Sequence, residues 1–290
     1  MFKSDLLKGK RILVTGGGSG LGRAMADRFA ELGADLYLCG RRRRLLDQAA
    51  REIEQSHGTR ARPLTCDIRD SDSVETMVAT IWQDGPLHGL VNNAAGNFIS
   101  RTQDLSARGF AAITSIVLNG TFHVTNACGR RWIAGGAAAS VVNIVTTWVW
   151  TGSAYVVPSA MAKSGVATMT KSLAVEWAPH GIRLNAIAPG PFPTEGAWQR
   201  LLPGDKQARD YQDSVPLGRP GEHGELANLA VFLLADGCDY LTGAIIPIDG
   251  GQHLNSANTF ARLRSLTDQD WIEIRASIKQ ANDRDRAERG

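Results

Sequence analysis

The turn Thr15-Gly16-Gly17-Gly18-Ser19-Gly20-Leu21-Gly22 constrains this chain more than any other stretch. It follows a short apolar run, Arg11–Thr15, and opens a segment with helical spacing through Leu21, Met25, Phe29 and Leu32. Glycines let the backbone turn tightly and bring N–H groups close to an anion, and the dipole of a helix starting there favours negative charge. A turn of this kind between a strand and a helix reads as a cradle for the pyrophosphate of a dinucleotide. Its spacing is Thr-Gly-x-x-x-Gly-x-Gly, through Gly16, Gly20 and Gly22, and not the commoner Gly-x-Gly-x-x-Gly.

The rest of the chain continues the alternation. Asp35–Cys39, Ala61–Cys66, Gly89–Asn92, Ser140–Val145, Ile182–Ala188 and Ala244–Ile248 read as strands. Helical patterns lie between them, at Arg42–Gln55, Ser164–Trp177 and Glu222–Leu234. Strands alternating with helices imply parallel pairing through right-handed crossovers, hence an α/β, doubly wound, mostly parallel sheet of Rossmann type, with ligands at the carboxyl ends of its strands. A length of 290 residues suits one large domain of this kind. The expected division is a catalytic domain over 1–255 and a C-terminal extension over 256–290. Trp271, Ile274 and Ile278 lie at helical spacing in the extension, which would pack on the core or on a neighbouring subunit. Pro189–Pro220, rich in Pro and Gly, reads as a lid, and the charged tail from Asn282 onward as a frayed end.

Composition removes several classes. With 43% hydrophobic and 21% charged residues the chain reads as globular, not disordered. A net charge of +3 is too mild to argue for nucleic acid or a membrane surface. No apolar stretch is long enough for a bilayer, and with a first strand so close to Met1 no signal or transit peptide is expected. Arg289-Gly290 is not a peroxisomal address. Cys39, Cys66, Cys128 and Cys238 show no metal spacing and read as buried free thiols of a reducing compartment, so no metal and a cytoplasmic location are expected.

The second strand ends in Leu38-Cys39-Gly40-Arg41-Arg42. An enzyme that prefers NAD usually carries an acid there for the ribose 2′-hydroxyl. Arg41 and Arg42 instead offer guanidinium forks for a 2′-phosphate and a face for adenine. Cations at a helix start oppose its dipole, which a bound phosphate would explain. The cofactor expected is NADP(H).

These motifs, together with Asp67, Asn92-Asn93-Ala94-Ala95-Gly96, Asn119, Lys163 and Pro189-Gly190, resemble the short-chain dehydrogenase/reductase family, in its order and over most of the chain. The resemblance implies a cofactor site of Gly16, Gly18, Ser19, Gly20, Leu21, Gly22, Arg41, Arg42, Asp67, Ile68, Asn93, Ala94, Ala95, Gly96, Lys163, Pro189, Gly190 and Pro191. By it, Asp67 would meet the adenine amine and Lys163 the nicotinamide ribose, while Asn119 would position a water or stabilise its helix. The family's catalytic Tyr, four residues before the Lys, is here Ser159, and its Ser is Thr146. A serine hydroxyl is a far weaker acid than a phenol, which argues against ordinary alcohol–ketone interconversion.

The 2,4-dienoyl-CoA reductase branch, in its mitochondrial type, shows the same departure and is similar along Asn92–Ser100, Val117–Thr121, Val156–Lys163, Pro189–Pro191 and Gln269–Trp271. That resemblance implies NADPH-dependent reduction of a conjugated acyl-CoA in fatty-acid breakdown, with no nucleic-acid or membrane partner, in a homotetramer. The branch uses an Asn at Asn97 and a Tyr where this chain has Trp148, whose indole N–H donates a hydrogen bond but supplies no proton. Three repairs stand open: Trp148 donates while water protonates, Tyr155 is the acid, or Trp148 and Trp150 merely line an acyl pocket. Thr146 and Ser159 either bond the substrate or cap local turns. The alternative functions are reduction of a non-CoA carbonyl or activated alkene, and a catalytically degraded cofactor-binding protein. His180 and His223 read as ordinary exposed loop residues, His88 shows no charged partner in the sequence, and Arg130 and Arg131 read as helix-surface charge.

Overall fold

The computed structural model describes residues 1–194, 214–256, 259, 260, 263 and 265–289. Two units divide at His253 and Leu254. The first carries seven strands: β1 Arg11–Thr15, β2 Asp35–Gly40, β3 Ala61–Thr65, β4 Gly89–Asn92, β5 Ala139–Ile144, β6 Ile182–Pro189 and β7 Ile245–Ile248. They form one sheet in the order β3-β2-β1-β4-β5-β6-β7, with every pairing parallel. The sequence-read strands fall on these within a residue or so at each end. They are legible because both faces of the sheet are covered, so the strands read as continuous apolar runs.

The two faces divide the strand residues by parity. Ile12, Val14, Leu36 and Leu38 pack with Met25 and Phe29 of α1 (Gly20–Glu31) and Leu226 and Val231 of a helix over His223–Leu234. Leu13, Tyr37, Cys39 and Leu90 face the other way. They pack against Val74 and Ile81 of α3 (Ser71–Trp82) and Val124 and Trp132 of α5 (Thr121–Gly135). Helix α2 (Arg43–His57) buries Leu46, Ala49, Ala50 and Ile53, one apolar stripe at helical spacing, and stops at Gly58 with φ of 69°.

Between α4 (Ala107–Thr114) and α5 the helical ladder widens into a π segment, Ser115–Gly120, which holds Asn119. After β5 comes α6 (Trp148–Thr151), a single turn, and then α7 (Val157–Glu176). The expected start of α7 at Ser164 is corrected to Val157. Pro158 sits in the first turn, where its missing N–H costs nothing, so the helix extends back through Ser159 and Lys163. The His223–Leu234 helix, α8, opens with a capping box of Glu222 and Glu225. The expected lid, Pro189–Pro220, lies in its 195–213 portion outside the described residues. α9 spans Gln252–Ser256, and the second unit contains α10, Asp268–Arg289, which includes Trp271, Ile274 and Ile278. Among the described residues no helix is long and apolar enough to cross a membrane.

Strand order reverses between β1 and β4, and one hydroxyl joins the two turns there. Thr15 Oγ1, 1% exposed, accepts from Asn93 N and Ala94 N at 3.0 Å each and donates to Val91 O at 3.3 Å. Thr15→Val keeps the shape and strands two amides, so it should cost about 1–3 kcal/mol. Thr15→Ser should recover most of the loss. Urea midpoints at constant slope measure this, and equal midpoints for Val and wild type would contradict the bridging role.

Candidate active site

The glycine-rich turn leaves β1 at the reversal point. Gly16 N donates to Cys39 O at 2.8 Å, which ties the turn to the end of β2. Gly22 has to be glycine, because a Cβ there would lie 2.4 Å from both Asn93 Nδ2 and Gly16 O. Asn93 Nδ2 in turn donates to Thr15 O at 3.1 Å. Ser19 caps α1 in extended conformation, and its side chain makes no bond to its own helix. It accepts instead from Arg42 Nη2 at 3.0 Å. The first turn of α1 carries no acidic residue. Free helix N–H groups, a hydroxyl and a guanidinium thus converge on one place, a donor set that fits a dinucleotide's phosphates.

Asp67 and Ile68 follow β3 on the same rim, and Arg41 is exposed beside them. Asp67 does not stand open. Arg69, which sequence reading missed, donates to its carboxylate from Nε at 2.9 and 3.0 Å and from Nη2 at 2.5 Å. Those bonds hold the Asp67 carboxyl below its usual value, with Arg41 adding to the effect. The i, i+2 spacing was the available signal. Ile68 is buried, and its carbonyl accepts from His123 Nδ1 at 3.1 Å. Ala95 is exposed and Gly96 half-buried on the β4 turn. At the end of β6, Gly190 N donates to Ile248 O at 3.0 Å and Pro191 O accepts from Gly221 N at 2.9 Å.

Helix α7 supplies the other wall. Ser159 and Lys163 lie one turn apart on one helix face and are 5% and 7% exposed. Lys163 Nζ donates to the carbonyl of Ile144, the last residue of β5, and burial pushes its pKa down to about 8. Beneath it runs a buried polar chain. Asn92 Nδ2 donates to Thr125 Oγ1 and Asn143 Oδ1 at 2.8 Å each, and Asn143 Nδ2 to Thr170 Oγ1 at 2.9 Å. Such a network fixes β4, β5, α5 and α7 relative to one another.

The remaining sequence-read residues lie on the π segment, on α6 and on the loops after β4, β5 and α6. Thr146 and Trp148 are half-buried, Trp148 being the first residue of α6, and Asn119 is exposed on the π segment. The side-chain oxygen of Asn97 accepts from Phe98 N at 2.9 Å, so what it can offer a ligand is its amide N–H. Tyr155 is 61% exposed, with φ of 65° and its carbonyl held by Ser100 N at 2.8 Å. That bond joins the Tyr155 loop to the loop carrying Asn97.

Other readings are refined. His88 is half-buried, and its Nδ1 accepts from Arg11 N at 3.0 Å; desolvation first, then Arg11 and Lys10, lower its pKa. His223 is half-buried and donates from Nε2 to Pro193 O at 2.6 Å. His223, read from the sequence as an exposed loop residue, is corrected to the half-buried first residue of α8, whereas His180 is exposed as expected. Arg130 and Arg131 both pair with Glu75 of α3, the latter at 2.9 Å, as helix-surface charge. Cys39, Cys66 and Cys128 are buried free thiols, whereas Cys238 is half-buried.

Comparison with known proteins agrees with this fold. A family model described as enoyl-(acyl carrier protein) reductase matches residues 16–253. A Bacillus anthracis short chain dehydrogenase of known structure superposes with a TM-score of 0.77 at 42% identity, covering 84% of this chain and 96% of its own. The chain belongs to the short-chain dehydrogenase/reductase family. It is therefore an oxidoreductase, with the Rossmann-type sheet of its relatives. A Caenorhabditis elegans protein named a probable 2,4-dienoyl-CoA reductase, (3E)-enoyl-CoA-producing, is 41% identical over 96% of this chain and 92% of its own length. A Bacillus subtilis protein named a probable 2,4-dienoyl-CoA reductase, (2E)-enoyl-CoA-producing, is 42% identical over 85% of this chain and 97% of its own.

Burial of Lys163 has a sign that can be tested. Its folded pKa of about 8 lies below the ordinary 10.5. Below pH 8 both folded and unfolded chains hold the proton, and the burial cost is present in full. Between about 8 and 10.5 the unfolded chain holds more protons than the folded one, so stability rises with pH. In cofactor-free protein the stability deficit of wild type against Lys163→Met should shrink as pH rises through that window. Urea midpoints from pH 7 upward measure it, and a constant gap would contradict the buried charge.

Proposed function

We propose that this chain is an NADPH-dependent reductase of conjugated acyl-CoA thioesters, 2,4-dienoyl-CoA foremost, acting in fatty-acid breakdown. The observation that carries the reading is Ser159, buried one turn before buried Lys163, in a chain 41% and 42% identical to proteins named dienoyl-CoA reductases. A serine hydroxyl cannot protonate a carbonyl oxygen as a phenol does. Conjugate reduction does not ask that of it. Hydride adds to the distal carbon of the diene, electrons move toward the thioester oxygen, and a proton later reaches carbon. What the oxygen needs meanwhile is hydrogen-bond donors.

The cofactor reading rests on Arg42 against Ser19, on Arg41 beside Asp67, and on the missing acid at the end of β2. A solved relative from Agrobacterium tumefaciens, 32% identical with a TM-score of 0.79, carries bound NADP. NADPH bound there supplies the hydride. Arg41 and Arg42 hold its 2′-phosphate, the first turn of α1 its pyrophosphate, and Lys163 the nicotinamide ribose. The amide N–H of Asn97 and the indole N–H of Trp148 donate to the thioester oxygen, while Thr146 and Ser159 bond the substrate beside them. We infer that water is the proton source, since Tyr155 is 61% exposed and stands apart from the buried pair Ser159 and Lys163.

Purified protein should therefore oxidise NADPH when given a 2,4-dienoyl-CoA, and silence across chain lengths would sink the reading. Trp148→Phe should lower kcat about a hundredfold, as loss of one oxyanion donor does. Tyr155→Phe should leave kcat nearly unchanged; a comparable collapse in Tyr155→Phe would make the phenol the acid instead. Arg41→Ala with Arg42→Ala should raise KM for NADPH and leave that for NADH unchanged, measured by initial rates.

A further inference from the structure

The turn that carries Trp148 is short and rests on one side against α7. α6 is four residues long, closed by Val149 N to Thr146 O and Trp150 N to Thr147 O at 3.2 Å each and by Gly152 N to Trp148 O at 2.9 Å. One isolated turn is far below the length at which a helix sustains itself. Val149 anchors one side of it by packing with Val145, Val166 and Ala186.

On another side Trp150 is stacked. Its indole lies 5.2 Å from the ring of His253, centroid to centroid, at an interplanar angle of 29°. That imidazole is clamped in turn. Its Nδ1 donates to Asp249 Oδ2 at 2.6 Å, and His253 N donates to the same oxygen at 2.8 Å. The other oxygen of Asp249 accepts from Gly251 N at 3.0 Å. Burial alone would raise the Asp249 pKa, but these bonds bring it below the usual carboxylate value, so the clamp is ionised. Asp249 follows directly on β7, and its Cβ abuts Gly190, where an added Cβ would come within 2.5 Å of it. Gly190 therefore has no room for a side chain, and the clamp is seated on the end of β6, beside the residues read as holding the cofactor.

We propose that His253 is a positioning residue: held by Asp249, it stacks on Trp150 and so fixes the α6 turn that presents Trp148 to the substrate. The proposal rests on the reading of Trp148 as a donor to the thioester oxygen. The brace ties the acyl side of the site to the β6–β7 edge through side chains roughly a hundred residues apart in sequence. A misplacement near 1 Å at such a turn costs about a hundredfold in rate when geometry is critical.

The test uses His253→Ala, Trp150→Ala, the double variant and His253→Phe, all checked for folding by thermal unfolding. His253→Ala and Trp150→Ala should each lower kcat with a 2,4-dienoyl-CoA about tenfold while NADPH affinity stays unchanged. The double variant should lose no more than either single, because both remove the same contact. His253→Phe, which keeps the stacked ring but loses the bond to Asp249, should recover only part of kcat. Additive losses, an unaltered kcat in His253→Ala, or a matching loss of NADPH affinity would overturn the brace. A second readout separates the two claims. Fluorescence of Trp150, taken as the difference between proteins with and without Trp150→Phe, should change in His253→Ala and persist in His253→Phe. If wild type reduces no dienoyl-CoA yet this signal behaves as stated, the substrate reading fails and the brace stands. If turnover is present and the signal is indifferent to His253, the brace fails and the substrate reading stands.

Discussion

The hydroxyl of Thr15 stands where the strand order reverses, and both halves of the cofactor cleft hang from it. It accepts the amides of Asn93 and Ala94 and donates to Val91, so the turn after β4 is bolted to the turn after β1. A crevice at the carboxyl ends of β1 and β4 follows from topology alone. Its shape does not: the glycine-rich turn can approach Asn93 only because Gly22 lacks a side chain, and Asn93 in turn bonds the Thr15 carbonyl.

Across the cleft the chain accepts an electrostatic cost. Lys163 is an ammonium buried against a backbone carbonyl, and desolvation lowers its pKa. A buried charge of this kind marks a candidate functional site, where we propose that it meets the oxygens of a bound cofactor. The polar chain Thr125–Asn92–Asn143–Thr170 stiffens the floor beneath it. In the proposed reaction, Ser159 at the phenol's place removes that acid and leaves hydrogen-bond donors, which suits conjugate reduction.

Much of this was legible in the sequence. The strands were, because a parallel sheet covered on both faces writes each strand as an apolar run. The glycine turn was, because its neighbours are a strand and a helix. The start of α7 was missed because Pro158 and the residues around it look like a loop, although proline is at home in a helix's first turn. The π segment at Ser115–Gly120 was invisible, since a one-residue shift of helical bonding leaves no mark in composition. Arg69 could have been found from its spacing to Asp67. The Asp249–His253–Trp150 contact could not, because only the fold brings those residues together.

The central claim is that hydride goes to the far end of a conjugated thioester and that a solvent-exchangeable proton then reaches carbon nearer the carbonyl. The most direct measurement follows isotopes. NADPH deuterated at C4 in each epimer, with unlabelled water, should deliver deuterium to C5 of the enoyl-CoA product from one epimer only, seen by mass spectrometry and NMR. The same reaction in deuterated water with unlabelled NADPH should place solvent deuterium at C2 or C4 and none at C5. Deuterium from the cofactor at the carbonyl carbon, or none transferred from either epimer, would contradict the account.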